Sequence, residues 1–331
     1  MTVKCVVYGL GLEINVQLDA LVGLNQPDKI DVHVEIVNTS AIENANLGIT
    51  AEEFYISSHC DAQGVPEFRA SRFHPDLNLR IAYSGGLVFD VDGQGRRIMV
   101  YAPSAQAFDE LVPALLGPMM GVILRLRGIA CLHASAIVID GVGIGLVGAS
   151  GAGKSTTAAA FARLGYAVLT DDVLALTDCI DHFLVRPAYP RVRLWPQSAA
   201  GLFGSADALP RMMPSWDKRF LSLQQPGYQF QSESLRLAAL YFLAPRGESS
   251  HVSAIEAVNP AEALMTLVSD SFATNFQDKP RRAAEFDLLS RLVATIPLRS
   301  ISAPDNLARI DDLCSAIVQD VRVQCATAEA H

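Results

Sequence analysis

The strongest structural signal in the chain is the stretch Val142-Gly143-Ile144-Gly145-Leu146-Val147-Gly148-Ala149-Ser150-Gly151-Ala152-Gly153-Lys154-Ser155. Its second half matches the pattern Gly-x-x-x-x-Gly-Lys-Ser/Thr, in which a glycine-rich loop joins an apolar strand to a helix. The context fits this pattern, because an apolar run precedes the loop and helix-forming residues follow it from Ser155 to about Arg163. The sequence therefore predicts a strand, a phosphate-binding loop and a helix in this order.

The chemistry of such a loop follows from its main chain. Glycines allow consecutive N–H groups to turn toward phosphate oxygens, and the helix N-terminus adds partial positive charge. We expect Lys154 to reach the β- and γ-phosphates and the Ser155 hydroxyl to ligate Mg²⁺. A glycine-rich turn that caps a helix is the alternative, but it gives no reason for lysine and serine at the helix start. The predicted nucleotide-binding residues are Gly148, Ala149, Ser150, Gly151, Ala152, Gly153, Lys154, Ser155 and Thr156.

Two adjacent carboxylates, Asp171 and Asp172, follow the apolar run Tyr166–Leu169. We predict a strand for this run, and the carboxyl end of such a strand lies on the rim where ligands bind. One carboxylate could hold or orient Mg²⁺ while the other accepts the proton of an attacking hydroxyl. A solvated pair that ends a strand is the alternative interpretation.

Several other polar residues stand out without a motif of their own. His133 precedes a predicted hairpin, Ala136–Ile139 and Gly143–Val147 joined through Asp140-Gly141, and a lone histidine in an apolar stretch is more often a satisfied core residue. Four cations could bind nucleotide phosphates or a carboxylate of an acceptor, or could be solvated surface charges. They are Arg191, Arg193, Lys218 and Arg219.

The composition is that of a folded, acidic protein. Half of the 331 residues are hydrophobic and 18% are charged, which excludes disorder over most of the length. The formal net charge of -9 argues against broad contact with nucleic acid polymers. The N-terminal residues lack the pattern of a secretory signal, and the six cysteines show neither metal nor disulfide spacing. We therefore expect a cytoplasmic protein with free thiols.

The chain length suits two domains. Residues 1–103 are predicted to form a β-rich domain, because runs such as Asp31–Val37 alternate polar with apolar residues. Residues 104–130 are predicted to form a connecting helix that Pro113 and Pro118 kink or split. Its most apolar window is shorter than the roughly 20 residues of a membrane span, so we expect a buried helix and no membrane partner.

The third region, residues 131–331, is predicted to be the catalytic domain. Beyond the core it contains predicted strands at Leu235–Leu243 and Pro297–Ile301 and three predicted helices. The segment Pro187–Pro214 is rich in Pro, Gly and Ser, and we expect it to be a long surface loop or lid. No repeats or low-complexity tracts occur.

The core of this region resembles the catalytic core of bacterial HPr serine kinase/phosphorylase. The resemblance is carried by Leu132-His133-Ala134-Ser135-Ala136, the Asp140-Gly141 hairpin, the phosphate loop, and Gly165–Val173. It is closer still to HPr-kinase-like proteins encoded beside peptide natural-product pathways, including lasso-peptide kinases. The resemblance implies an α/β (α+β) fold, with a P-loop kinase domain of the HPr kinase/PEP carboxykinase-like type beside the smaller β-rich domain.

The resemblance also implies roles for individual residues. It makes Asp172 the proton acceptor from a serine hydroxyl and His133 a second catalytic residue, with Lys154 and Ser155 in the family's loop positions. The family's later metal-binding glutamate has no counterpart, because Tyr189–Pro196 contains no carboxylate. Mg²⁺ is therefore expected to rest on Ser155 and the aspartate pair, with Asp171 as the ligand. The family's later arginine motif is not recognisable either, so removal of phosphate from phosphoserine is not expected.

These observations lead to one main hypothesis and two alternatives. The main hypothesis is an ATP- and Mg²⁺-dependent kinase that phosphorylates a serine hydroxyl on a protein or ribosomal peptide, including lasso-peptide precursors. A small-molecule kinase is the second enzyme hypothesis, because the order of loop, helix, strand and aspartate also occurs there. A nucleotide-dependent sensor or scaffold with little turnover is the third. The sequence leaves the acceptor and a homo-oligomeric state open.

Overall fold

The computed structural model describes residues 2–37, 51–61, 63–73, 78–213, 216–247, 255–304 and 307–328. It is a mixed α/β protein that divides into two units. Unit 1 contains Met1–Gly128 together with Asn275–Gln277, and unit 2 contains Ile129–Thr274 and Asp278–His331. The helix predicted for residues 104–130 thus belongs to unit 1, up to Gly128.

Unit 1 is built on one mixed β-sheet. Its strands show the alternation of polar and apolar residues that is seen in the sequence. Val32, Val34 and Ile36 are buried in their strand, whereas His33 and Glu35 between them are exposed. Its described strands are Val3–Val7 (β1), Leu10–Ile14 (β2), Val32–Val37 (β3), Ala51–Ile56 (β4), Phe68–Phe73 (β5), Asn78–Tyr83 (β6), Val88–Val91 (β7) and Arg97–Tyr101 (β8). Their order across the sheet is β1-β2-β3-β8-β7-β6-β5-β4.

The helical run of unit 1 is interrupted at Pro118, whereas Pro113 lies inside its first α-helix. An α-helix at Ala105–Ala114 (α1) passes through a π-helical turn at Leu115–Met119 into a second α-helix at Met120–Leu126 (α2). The π-turn contains Pro118, whose missing N–H removes one bond of a regular helix. The run Ala105–Leu126 is long and apolar enough to cross a membrane by length and composition alone, but 72% of its most apolar window is buried inside the protein.

Unit 2 contains a larger mixed sheet, a small sheet and five described helices. The strands are Cys131–Leu132 (β9), Ser135–Ile139 (β10), Val142–Val147 (β11), Ala167–Thr170 (β12), Leu174–Asp178 (β13), Phe183–Arg186 (β14), Arg191–Leu194 (β15), Arg211–Met213 (β16), Trp216–Ser222 (β17), Gln229–Phe230 (β18), Leu235–Gly247 (β19), Glu256–Ala257 (β20) and Leu298–Pro304 (β21). The helices are Lys154–Arg163 (α3), Pro196–Phe203 (α4), Pro260–Ser269 (α5), Lys279–Thr295 (α6) and Ile310–Ala328 (α7).

The larger sheet has the order β18-β12-β10-β11-β19-β14-β13-β9, with β21 beside β19 and β20 beside β21. The predicted hairpin is confirmed, since β10 and β11 pair antiparallel up to Ile139 and Val142. Its two turn residues, Asp140 and Gly141, have φ of 48° and 82°, as a two-residue hairpin turn demands. The strand that enters the phosphate loop thus lies in the interior of the sheet, between β10 and β19.

Both faces of this sheet are covered, which explains the nearly continuous apolar run of β11. Ile144 and Leu146 belong to one buried cluster with Phe161 of α3 and Ile317 of α7. Val147 belongs to a separate buried cluster, which also contains residues of α5 and α6. A strand buried on both faces shows no polar alternation. The start of the phosphate loop is therefore anchored by packing from both sides.

The loop predicted for Pro187–Pro214 is wrong for most of its described residues. Arg191–Leu194 forms β15, which pairs with β17 in the small sheet β15-β17-β16, and Pro196–Phe203 forms α4. Proline and glycine here mark element boundaries, because Pro196 lies in the first turn of α4 and Gly204 ends it with φ of 83°. The segment is structured and partly buried, and it borders the predicted site.

Candidate active site

The phosphate loop connects β11 to α3 and depends on its glycines. Gly148, Gly151 and Gly153 have φ of 150°, 85° and 104°, in the region that side chains other than glycine rarely adopt. At Gly148 a Cβ atom would also lie 2.7 Å from the carbonyl oxygen of Leu243 on β19. Ala149, Ser150 and Gly151 are exposed at the tip of the loop. The main chain of the loop is thus folded by the glycines, and its tip is open to a ligand.

Lys154 lies at the first position of α3 and closes the loop from inside. Its side chain is buried, and its Nζ donates hydrogen bonds to the carbonyl oxygens of Gly148 at 2.6 Å and Ala149 at 3.2 Å. Burial lowers the pKa of Lys154, although the nearby carboxylates of Asp270 and Asp172 act in the opposite direction. An ammonium group held by main-chain carbonyls can exchange them for phosphate oxygens without leaving the loop.

The next two residues of α3 differ in their surroundings. Ser155 is half-buried, whereas Thr156 is buried and its hydroxyl lies 2.8 Å from the Ser198 hydroxyl of α4. This hydrogen bond ties the phosphate-loop helix to the segment that follows β15. Ser155 therefore remains the predicted hydroxyl ligand, and the described contact of Thr156 is to α4.

Asp171 directly follows β12 and is held by two hydrogen bonds. The Ser135 hydroxyl donates to its Oδ1 at 2.7 Å, and the backbone N–H of Arg193 donates to its Oδ2 at 2.8 Å. The side chain is only 3% exposed. Asp171 thus connects β10, β12 and β15. Each of its carboxylate oxygens already accepts one hydrogen bond, so as a metal ligand Asp171 would use the remaining lone pairs of these oxygens.

Asp172, the next residue, has a different environment. Its backbone has φ of 73°, a conformation that costs an aspartate about 1 kcal/mol or more and is common at functional sites. Arg193 Nη1 donates to its Oδ2 at 2.9 Å, and His133 Nδ1 lies 3.5 Å from its Oδ1. Burial alone would raise the pKa of Asp172, but the charges of Arg193, Lys218 and Lys154 outweigh it and lower the pKa, and His133 acts in the same direction when it is protonated. Asp172 is therefore a carboxylate at neutral pH.

His133 lies between β9 and β10 and is fixed by the segment after α5. Its backbone N–H donates to the carbonyl oxygen of Asp270 at 2.8 Å, and its ring is stacked with Phe272 at a centroid distance of 6.3 Å. Burial lowers the pKa of His133. The negative charge of Asp172 acts to raise this pKa, and the positive charge of Lys154 acts to lower it further. The imidazole is therefore neutral at pH 7, beside the ionised Asp172.

Asp270 is a residue that sequence reasoning missed. It follows α5, and its Oδ2 atom is buried without a hydrogen-bond partner among the described residues. Burial raises its pKa, while the charges of Lys154 and His133 act to lower it. No motif in the sequence signals this position, because Asp270 approaches the loop only through the pairing of the segment after α5 with β9.

The four predicted cations have four different partners. Arg193 binds Asp172 and also donates to the Tyr189 hydroxyl at 2.9 Å. Arg191 instead lies over the ring of Phe220 at 4.1 Å. Arg219 is buried and forms an ion pair with Asp207 at 3.0 Å. Lys218 lies over the rings of Trp195 and Trp216. Of these four, Arg193 contacts the aspartate pair directly.

The donor set fits magnesium bound together with phosphate. Among the described residues no group of three or more His, Cys, Asp or Glu side chains could hold a metal ion alone. Mg²⁺ needs no such group, because it commonly keeps several waters and takes one or two protein oxygens plus phosphate oxygens. The Ser155 hydroxyl and the carboxylates of Asp171 and Asp172 are donors of this kind, and the unpartnered oxygen of Asp270 is a further one.

Comparison with known proteins adds little to this site. No family model matches the chain, and no curated protein matches it. Among solved structures, the chain is similar to the HPr(Ser) kinase/phosphatase from Coxiella burnetii at 15% sequence identity and a TM-score of 0.31, over 59% of this chain and 98% of that one. So low a TM-score supports no conclusion about fold or activity. The case for function therefore lies in the geometry of the site itself.

Proposed function

We propose that the protein is an ATP-dependent kinase that transfers the γ-phosphoryl group to a serine hydroxyl of a protein or ribosomal peptide. The observation that carries this proposal is the Asp172 carboxylate, which Arg193 binds at 2.9 Å near the phosphate-loop lysine. The charge of Asp172 acts to raise the pKa of Lys154, against the larger effect of burial. A phosphate-binding loop next to an ionised, oriented carboxylate is the minimum that phosphoryl transfer to a hydroxyl requires.

The loop would supply binding and charge stabilisation. Residues Ala149–Gly151 are exposed, so phosphate oxygens can reach this part of the loop, and Lys154 would exchange its bonds to Gly148 and Ala149 for bonds to the β- and γ-phosphates. Such prearranged donors stabilise the charge that develops during transfer. Mg²⁺, when bound with the nucleotide, would neutralise phosphate charge, with Ser155 and Asp171 as its protein ligands.

Asp172 would act on the acceptor. The bond between the serine oxygen and the γ-phosphorus forms while the bond from that phosphorus to the β,γ-bridging oxygen breaks, so that ADP leaves. The serine proton passes to a carboxylate oxygen of Asp172 and then to solvent. Because the pKa of Asp172 is lowered, the carboxylate orients the hydroxyl first and accepts the proton late, once the new bond has made that proton acidic. Neutral His133 would support the carboxylate from its other side.

The proposed acceptor class has its own support. The choice of a protein or peptide serine rests on the resemblance of residues 132–173 to HPr-kinase-like proteins and on the presence of a separate β-rich unit. ATP, Mg²⁺ and a cytoplasmic location belong to the same proposal. A kinase for a small metabolite would use the same loop but phosphorylate a different acceptor. A sensor would use the loop to bind the nucleotide and would form no product.

The direct test is incubation of the protein with labelled ATP, Mg²⁺ and candidate serine-containing peptides, followed by mass spectrometry. We expect a gain of one phosphate on serine that is lost in a matched peptide with alanine at that position. Transfer of label to small hydroxyl compounds, but not to peptides, would favour a metabolite kinase. Tight ATP binding without any transfer would favour a sensor.

A further inference from the structure

The chain's two tryptophans form an aromatic corner around one lysine. Trp195 lies between β15 and α4, Trp216 begins β17, and their rings meet edge to face at 6.3 Å and 83°. The ammonium group of Lys218 lies 4.9 Å from the centroid of Trp195 and 4.7 Å from that of Trp216. Trp195 is 51% exposed. The corner therefore combines a positive charge with an accessible aromatic surface.

This corner is tied to the candidate active site from both sides of Trp195. Two residues before it, Arg193 binds Asp172 at 2.9 Å, and three residues after it, the Ser198 hydroxyl lies 2.8 Å from that of Thr156 in α3. The chain from Arg193 to Ser198 thus runs along the phosphate-loop helix and the aspartate pair. The aromatic corner borders the position that the phosphates of a nucleotide would take.

The charge of Lys218 is felt inside the site. It contributes to the lowered pKa of His133, after the larger effect of burial, and also to that of Lys154. It likewise helps to outweigh the burial of Asp172 and to lower the pKa of that carboxylate. An ammonium that influences all three groups is close enough to act on an anion bound among them.

The described contacts of Lys218 are with aromatic faces. An aromatic face attracts an ammonium through its quadrupole. A lysine also has a flexible stem, so that its head can move by several ångströms at small cost. An aromatic pair is thus a suitable resting place for a cation that later contacts a ligand.

We propose that Lys218 contacts the terminal phosphate of the bound nucleotide and that Trp195 and Trp216 hold its ammonium before the nucleotide binds. This inference rests on the proposed function, because it requires a triphosphate in the loop. It assigns Lys218 to the γ-phosphate and so to the distinction between ATP and ADP. Lys154 contacts the phosphate chain from within the loop, and Lys218 contacts it from the small sheet.

The test compares binding of ADP with binding of a non-hydrolysable ATP analogue by calorimetry. In Lys218→Met, which keeps an apolar stem and removes the charge, we expect the affinity for the ATP analogue to fall roughly 10-fold or more, as for loss of a hydrogen bond to a charged group. The affinity for ADP should stay within about twofold. Lys218→Arg should restore part of the preference. Arg211→Met, which removes an exposed cation from β16 of the same sheet, should change neither affinity.

The tryptophans allow the same inference to be tested without a charge variant. Because both tryptophans of the chain lie in the corner, intrinsic fluorescence reports on the departure of the ammonium. Addition of the ATP analogue to the wild-type protein should change this fluorescence more than addition of ADP does. Identical changes with both nucleotides would overturn the inference, even if Lys218→Met fails to fold.

The remaining outcomes separate this inference from the proposed function. Equal loss of ADP and ATP-analogue affinity in Lys218→Met would overturn a γ-phosphate contact. A raised KM for the peptide acceptor with unchanged nucleotide affinities would assign Lys218 to the acceptor and overturn it as well. In both cases wild-type phosphoryl transfer would still stand. A wild-type protein that binds no nucleotide would overturn both the inference and the proposed function.

Discussion

The phosphate loop Gly148–Ser155 and the small sheet β15-β17-β16 border the same site with different chemistry. The loop offers main-chain groups, and its one cation, Lys154, is held by main-chain carbonyls. The small sheet offers side chains, among them Arg193 on Asp172 and Lys218 at the aromatic corner. Main-chain groups can bind the phosphates of any nucleotide, whereas side-chain charges set the state of the carboxylate. Nucleotide binding and phosphoryl transfer should therefore be separable by mutation.

The largest effect is expected on the loop side, from Lys154→Ala. Removal of the ammonium leaves charge on the β- and γ-oxygens without a partner, a loss of about 3 kcal/mol or more, or at least roughly 10²-fold in rate. A single-turnover assay with labelled ATP measures this loss, and thermal melting controls for folding. Full activity in a folded variant would overturn the assignment of the phosphate loop.

On the sheet side, Arg193→Met should shift the pH dependence of the reaction. Arg193 lowers the pKa of Asp172 against the opposite effect of burial, so removal of its charge should raise that pKa. The ionised carboxylate is the active form, and the acidic limb of the profile of kcat/KM against pH should therefore move to higher pH. Arg211→Met serves as a control that should leave the limb in place. An unmoved limb in Arg193→Met would separate Asp172 from the pH dependence.

A smaller effect is expected from Asp171→Asn, which tests a residue that connects the two sides. The amide oxygen can still accept from the backbone N–H of Arg193, but the amide NH₂ would face the Ser135 hydroxyl, which must turn to accept and no longer donates. Two hydrogen bonds to a charged carboxylate become neutral ones, at a cost of about 1–3 kcal/mol that thermal unfolding should detect. If Asp171 also ligates Mg²⁺, the variant should need a higher Mg²⁺ concentration for activity. A lower melting temperature with an unchanged Mg²⁺ titration would make Asp171 a structural residue.

The central strand, loop and helix of unit 2 could be predicted from sequence because their signals are local. Three glycines at positive φ, a lysine at the helix start and the turn at Asp140-Gly141 each depend on neighbouring residues alone. The positions of Asp171 and Asp172 after β12 could be predicted for the same reason. The different environments of these two aspartates could not be predicted, because they depend on Ser135 and Arg193, which lie on other strands.

The parts that could not be predicted depend on distant contacts. Prolines and glycines in Pro187–Pro214 favoured a loop, yet Pro190 directly precedes β15, and Pro196 and Gly204 lie at the two ends of α4. The carboxylate of Asp270 joins the site only because the segment after α5 pairs beside β9. Likewise, nothing local in the sequence indicates that Trp195 and Trp216 meet around Lys218, since Trp216 reaches the corner through the pairing of β15 with β17.

We expect Asp172 to act in phosphoryl transfer and not in nucleotide binding, and the variant Asp172→Asn separates these two roles. The variant keeps the size of the side chain but cannot accept a proton. Calorimetric titration with ATP and Mg²⁺ should give an affinity within a few-fold of the wild type, while the rate of peptide phosphorylation falls by about 10² or more. Near-normal turnover in this variant would exclude Asp172 as the proton acceptor, and a parallel loss of ATP affinity that added Mg²⁺ restores would make it a metal ligand.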